Sequence, residues 1–270
     1  MVCTVTQPQT ELINQISKHL ASALDACNLS NKPFSNFYVR NCFPDLIYKD
    51  IIANLPNSVF YKPLSHRDSL RKDGTCSRFY FDLSDENFSL LPDQQRVFWG
   101  SISKALCSPV VKQAVFNQLK FDLARRFDIS TQEVNQIEAY PIPGLFRDME
   151  GYKILPHPDT PEKIVTVQFY FPTDPSQANF GTSIYRRKTR LQAKLEKLIG
   201  LPSRNKFQHV KTFEFMPNTG YGFAVSEKSW HGRSQLPNTG DARNTLMLIY
   251  YNKPGLGYMN DKTLKRSHTH

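Results

Sequence analysis

His157-Pro158-Asp159 sets an imidazole and a carboxylate two residues apart, and His231 follows 72 residues beyond Asp159. In extended chain, residues i and i+2 point to one side, so His157 and Asp159 can converge on a common point. A second imidazole, His231, can join them from a neighbouring strand end. Two nitrogens and one oxygen on one face of a metal leave three positions open. That suits non-haem Fe(II) that must also bind a co-substrate and O2; zinc is more often held in a closed tetrahedral site or with one open position. Arg243 lies 12 residues after His231 and opens the apolar run Asn244 to Tyr251. Its guanidinium can form two parallel charge-assisted bonds to a carboxylate, which is what gripping the far end of a dicarboxylic co-substrate requires.

Taken alone, a His-x-Asp pair is a weak signal, and the chain holds a second one, His66-Arg67-Asp68. That copy sits in a charged segment with no apolar strand behind it and reads as an ordinary loop. It mimics the His-Arg-Asp of protein kinases, but no glycine-rich phosphate loop, no Asp-Phe-Gly and no correctly spaced Asn accompany it.

The elements that must position these groups fall into two textures. The first half is helix-rich. Leu12, Ile13, Ile16, Leu20 and Leu24 follow a 3.6-residue period, Pro44 opens a second helix with Ile47, Ile51 and Ile52 on one face, and two more helices are expected from Asp93 and after Pro109. Phe34 to Val39 and Arg78 to Leu83 read as strands, and 61 to 77 as loop. After about residue 130 short runs of Val, Ile, Thr, Phe and Tyr alternate with Pro, Gly and Asn, predicting strands at 134–140, 163–171, 181–186, 210–215, 222–225 and 244–251. Residues 186–206 interrupt them with a basic segment whose Leu191, Leu195, Leu198 and Ile199 have helical spacing. Thr166 and Gln168 share a strand face with Tyr170 and are expected to point inward.

Composition bounds the reading. The 270 residues carry 34 basic and 24 acidic side chains, net +10, with 40% hydrophobic residues, so disorder as the main state is excluded. One large domain of 1–270 is expected, with 10–127 as helix-rich support, 130–255 as the core and a mobile tail at 258–270. No run approaches the roughly 18 apolar residues of a membrane span, and the N-terminus lacks the features of a secretory signal, so no membrane association and a cytoplasmic location are expected. Five scattered cysteines without a CxxC pair argue for reduced thiols. The positive charge speaks to association with anions and by itself selects no partner.

With these residues in view, the sequence resembles the Fe(II)/2-oxoglutarate-dependent oxygenases, prolyl-hydroxylase-like members included. The resemblance spans roughly 137–252 and rests on the order of His157-Pro158-Asp159-Thr160, the strand Lys163 to Tyr170, Gly181 to Tyr185, Pro217 to Gly220, Trp230-His231-Gly232 and Arg243. It implies a mainly β fold with flanking helices around a double-stranded β-helix, or jelly-roll, core. It also implies that His157, Asp159 and His231 bind iron and that Arg243 pairs with the distal carboxylate of 2-oxoglutarate. Tyr140 occupies the place of a tyrosine that hydrogen-bonds this co-substrate in many relatives, although a packing role is equally compatible; Trp230 reads as packing beside the ligand. The implied enzyme is a dioxygenase, a hydroxylase needing Fe(II), 2-oxoglutarate and O2, with ascorbate as a helpful additive in vitro. A carboxylate at Asp159 implies hydroxylation or desaturation over halogenation.

The substrate expected is a small molecule such as an amino acid, a nucleotide or a carrier-bound acid. The basic 186–206 segment reads as either a solvated rim helix or a lid that steers an anionic substrate. Two alternatives remain open. An oxidative nucleic-acid demethylase would use the same triad, but no aromatic-interleaved basic platform for stacking bases is visible, which argues against nucleic acid. A non-catalytic barrel binding module is opposed by the intact triad with Arg243.

Overall fold

Alternation along two strands sorts the molecule into layers. In the computed structural model, which describes residues 7–258 apart from 65–66, 190, 192–205 and 239, twelve strands run in chain order. They are β1 (Asn28–Ser30), β2 (Asn36–Arg40), β3 (Lys62–Pro63), β4 (Arg78–Asp82), β5 (Tyr140–Asp148), β6 (Ile154–His157), β7 (Lys163–Phe171), β8 (Ser183–Arg187), β9 (Phe207–Thr212), β10 (Thr219–Ala224), β11 (His231–Arg233) and β12 (Arg243–Tyr251). Every residue of β7 and β12 is buried, because both faces of each strand are covered. Val165, Val167, Phe169 and Phe171 of β7, with Leu246, Leu248 and Tyr250 of β12, pack in one cluster with the helices. Thr166, Gln168 and Tyr170, with Thr245, Met247 and Ile249, take the opposite face, as period-two geometry requires.

The strands form an eight-stranded sheet, β1-β2-β10-β7-β12-β5-β4-β3, and a four-stranded sheet, β6-β11-β8-β9. All pairings are antiparallel, and the two sheets with their flanking helices make the jelly-roll core expected from the sequence. Among the described residues six helices flank them: α1 (Gln7–Asp25), α2 (Asp45–Ala53), α3 (Asp85–Phe88), α4 (Asp93–Leu106), α5 (Pro109–Gln118) and α6 (Lys120–Phe127). Ile16, Leu20 and Leu24 of α1 are fully buried against the large sheet's helical layer, the face set by their spacing. Ser108 caps α5 by accepting from the Val111 amide, with Pro109 in the first turn. The single helix expected after Pro109 is two, broken at Leu119 (φ −108°, ψ 12°).

One strand expectation fails. Val134–Gln136 is a 3-10 turn, and the strand begins only at Tyr140. β5 escapes a propensity reading because it contains Pro141, Pro143 and Gly144. Both prolines lie beyond the last β4 pair, Asp82 with Gly144, where β5 has β12 on one side only and a missing amide leaves no gap in a ladder. Arg186 and Arg187 of the basic segment close β8; the helix expected there falls on residues outside those described, as does the expected tail from 259. No helix among the described residues is long and apolar enough to cross a membrane.

Candidate metal and co-substrate site

His157 ends β6 and His231 opens β11, and the two are direct cross-strand partners. Their ring centroids are 4.4 Å apart at 47°. β11 fits between β6 and β8 because Gly232 has no side chain: a Cβ there would stand 2.7 Å from the Ile154 carbonyl oxygen. Asp159 reaches the same point from the turn before β7, and one donor atom from each of the three residues lies within 4.8 Å of the others.

The protonation states suit a divalent ion. Nδ1 of His157 faces the Leu155 carbonyl oxygen at 3.0 Å and Nδ1 of His231 faces that of Ser229 at 2.9 Å. A carbonyl only accepts, so each Nδ1 carries the proton and each Nε2 keeps its lone pair for a metal. Burial, and then the facing His231, push His157 down to about 3, and burial also depresses His231. Burial alone would raise Asp159, but Lys163, His231 and His157 outweigh it and hold the carboxyl below its usual range. At neutral pH the set is therefore two neutral imidazoles and a carboxylate, the form in which these groups ligate. The Lys163 ammonium (2.8 Å) and the Thr166 hydroxyl (2.8 Å) donate to the two Asp159 oxygens and fix the carboxylate's orientation.

These groups line a cavity of about 230 Å³, small beside the roughly 300–1,000 Å³ of ligand pockets in general. Arg243 is at its base and fully buried. It stands opposite Asp148 of β5, which stands in turn opposite Arg78 of β4. Arg243 Nη1 donates to Asp148 at 2.8 Å, and Arg78 Nε lies 3.4 Å from the other carboxylate oxygen. Arg243 also donates from Nε to the Phe180 carbonyl (2.6 Å), with longer contacts from Nη2 to Thr182 (3.3 Å) and Gln168 (3.4 Å). Arg78 bonds the Tyr152 hydroxyl and stacks over Phe146.

A third guanidinium, Arg233, lines the same cavity and was missed in the sequence. Burial, and then Arg243, depress it to about 9; Asp148 pulls the other way and offsets only part of the desolvation of this buried cation. The period-two rule applied to His231 could have found it. Asp68 also lines the cavity, so this residue of the second His-x-Asp pair is part of the pocket wall and not merely of an ordinary loop; His66 falls outside the described residues.

Of the groups singled out in the sequence, His157, Asp159, His231 and Arg243 meet in one cavity; Gln168 lines it as well, and Thr166 on the same strand face bonds Asp159. Tyr140 does not. It starts β5 eight residues from Asp148, roughly 26 Å along an extended strand, and its hydroxyl donates to Glu138. Trp230 packs on Phe207, centroids 4.6 Å apart.

No family model and no curated protein matches the sequence. Among solved structures, the chain is similar to a prolyl hydroxylase from Trichoplax adhaerens in complex with a hypoxia inducible factor oxygen degradation domain peptide fragment. That match has 11% identity and a TM-score of 0.47, covering 92% of this chain and 94% of that one. It is similar to an oxidoreductase of the 2OG-Fe(II) oxygenase family from Burkholderia pseudomallei (12% identity, 94% of each chain, TM-score 0.47). A Pseudomonas putida prolyl-4-hydroxylase matches with 11% identity over 88% of this chain and 99% of that one, TM-score 0.43.

Proposed function

We propose that the chain is a non-haem Fe(II)/2-oxoglutarate-dependent oxygenase acting on a small molecule. The observation that carries this is the meeting, in one small cavity, of the His157, Asp159 and His231 donors with buried guanidinium groups at the base. Three protein ligands on one face suit an ion that keeps positions open for a chelating co-substrate and O2. When bound, ferrous iron with 2-oxoglutarate and O2 supplies an oxidant able to attack an unactivated C–H bond: one oxygen atom enters the product alcohol, the other enters succinate, and CO2 leaves.

The chain's own residues prepare that chemistry. The Leu155 and Ser229 carbonyls fix both imidazole tautomers, and Lys163 and Thr166 keep the Asp159 carboxylate ionised and aimed. The guanidiniums at the base orient a dicarboxylic co-substrate so that its keto-acid end faces the metal. The apolar lining of Tyr152, Ile154, Tyr221 and Met247 excludes water and confines the oxidant to the bound C–H group. The substrate that fits this reading is an amino acid, a nucleotide or a similarly small acid. Exposed Arg186 and Arg187 at the end of β8 favour an anionic or carrier-bound one.

Succinate release in the presence of Fe(II), ascorbate and 2-oxoglutarate, screened over amino acids, nucleotides and carrier-linked acids, tests the reading. Substrate-stimulated succinate is expected. Its complete absence across the panel would favour a barrel that only binds, and stimulation by methylated oligonucleotides alone would favour a demethylase.

A further inference from the structure

The base of the cavity holds three guanidiniums, Arg78, Arg233 and Arg243, and one carboxylate close enough to pair with them, Asp148. Asp148 is committed to Arg243 and Arg78. Every nitrogen of Arg243 already donates to protein: Nε to Phe180, Nη1 to Asp148, Nη2 to Gln168 and Thr182. Its charge is neutralised where it stands, and its donors serve mainly to hold it there.

Arg233 is different. It is 5% exposed, yet among the described residues no carboxylate lies within ion-pair distance of it. Nη1 donates to the Gly181 carbonyl at 3.1 Å, the guanidinium stacks over Phe180 at 5.4 Å, and its buried Nε has no partner. Burying a cation without a counter-charge is costly, so a fold that does so at the base of a cavity leaves a place for an anion. Nε and the neighbouring Nη form the side-on edge that meets a carboxylate in two parallel bonds. Arg233 also follows the metal-site residue His231 by two positions, about 7 Å along the strand, and both line the same cavity. A five-carbon keto-diacid spans that separation, with one end at the metal site and the other at the guanidinium.

We infer that Arg233 is the principal clamp for the distal carboxylate of the co-substrate, and that Arg243, locked by Asp148 and Phe180, is a positioning residue beside it. This rests on the oxygenase reading of the same cavity and adds a binding residue that the sequence resemblance did not assign. It makes the site selective for a keto-diacid over a keto-monoacid.

The test is calorimetric titration of the full chain in its Mn(II) form, which binds without turnover, comparing 2-oxoglutarate with 2-oxopentanoate, the five-carbon keto acid lacking the distal carboxylate. Wild type is expected to prefer the diacid. Arg233→Gln should weaken 2-oxoglutarate on the order of 100-fold, leave 2-oxopentanoate within about twofold, and so erase the preference. Arg233→Lys, which keeps the charge but not the fork, should recover part of it and replaces the Gln variant if that one does not fold. A folded variant that still prefers the diacid as strongly as wild type would overturn the clamp while leaving the oxygenase reading intact. Wild type that binds Mn(II) but neither keto acid would overturn both.

Discussion

Asp148 and Arg243 stand directly opposite each other on β5 and β12 and are ion-paired at 2.8 Å, with the Asp148 side chain wholly shielded from solvent. On the far side of Asp148, Arg78 occupies the same level of β4. One carboxylate thus holds the base of the cavity together across three adjacent strands. Asp148→Asn keeps the shape and removes the charge, leaving buried guanidiniums without their counter-ion. Chemical denaturation should show a loss of about 3 kcal/mol or more, partly restored by 2-oxoglutarate. Unchanged stability would mean that the pair contributes little.

Thr166 donates to Asp159, and under the proposed function it acts on the metal through that carboxylate. Thr166→Val removes the hydroxyl that donates to the carboxylate with little change in volume. Orienting partners of this kind are typically worth about 10- to 100-fold in metal affinity. Mn(II) titration should show a loss in that range with thermal stability nearly unchanged; equal affinity would remove Thr166 from the site's machinery.

The metal-free protein should lose stability in mild acid. His157 is held down to about 3 by burial and by His231, far below the roughly 6.5 of an unfolded histidine. Between those values the unfolded chain binds the proton and the native one does not, so stability falls as pH drops below about 6.5. From there to pH 5 His157 alone should cost about 2 kcal/mol. Denaturation of wild type and His157→Gln at pH 7.5 and pH 5 checks this: the acid penalty should shrink in the variant, and an identical penalty in both would contradict the account.

Tyr140 offers a control. Its hydroxyl bonds Glu138 at the end of β5 remote from Asp148. Tyr140→Phe should leave 2-oxoglutarate affinity in the Mn(II) form within about twofold, whereas a tenfold loss would return Tyr140 to the site.

What the sequence revealed followed physical signals that survive in one dimension. The alternation of Val165, Val167 and Phe169 with Thr166 and Gln168 located β7 and its inward face, and the order of His157, Asp159, His231 and Arg243 picked out residues that meet in one cavity. β5 was hidden because Pro141, Pro143 and Gly144 mimic a loop, and they are tolerated only where β4 has ended. β6 and β11 are too short, at four and three residues, to show a period. The Asp148 pair and the unpartnered edge of Arg233 depend on which strands become neighbours, and no local spacing encodes that. Tyr140 was misplaced for a related reason, since its strand runs toward the cavity's base while its own side chain stays at the far end.

The most direct measurement is an anaerobic titration of the full chain with Fe(II) and then 2-oxoglutarate, followed by visible absorption. A weak charge-transfer band that saturates with 2-oxoglutarate, and that is lost in His157→Ala and His231→Ala, is the predicted result. Tight Fe(II) binding with no band at any 2-oxoglutarate concentration, or a band of undiminished strength in both histidine variants, would contradict the proposed site.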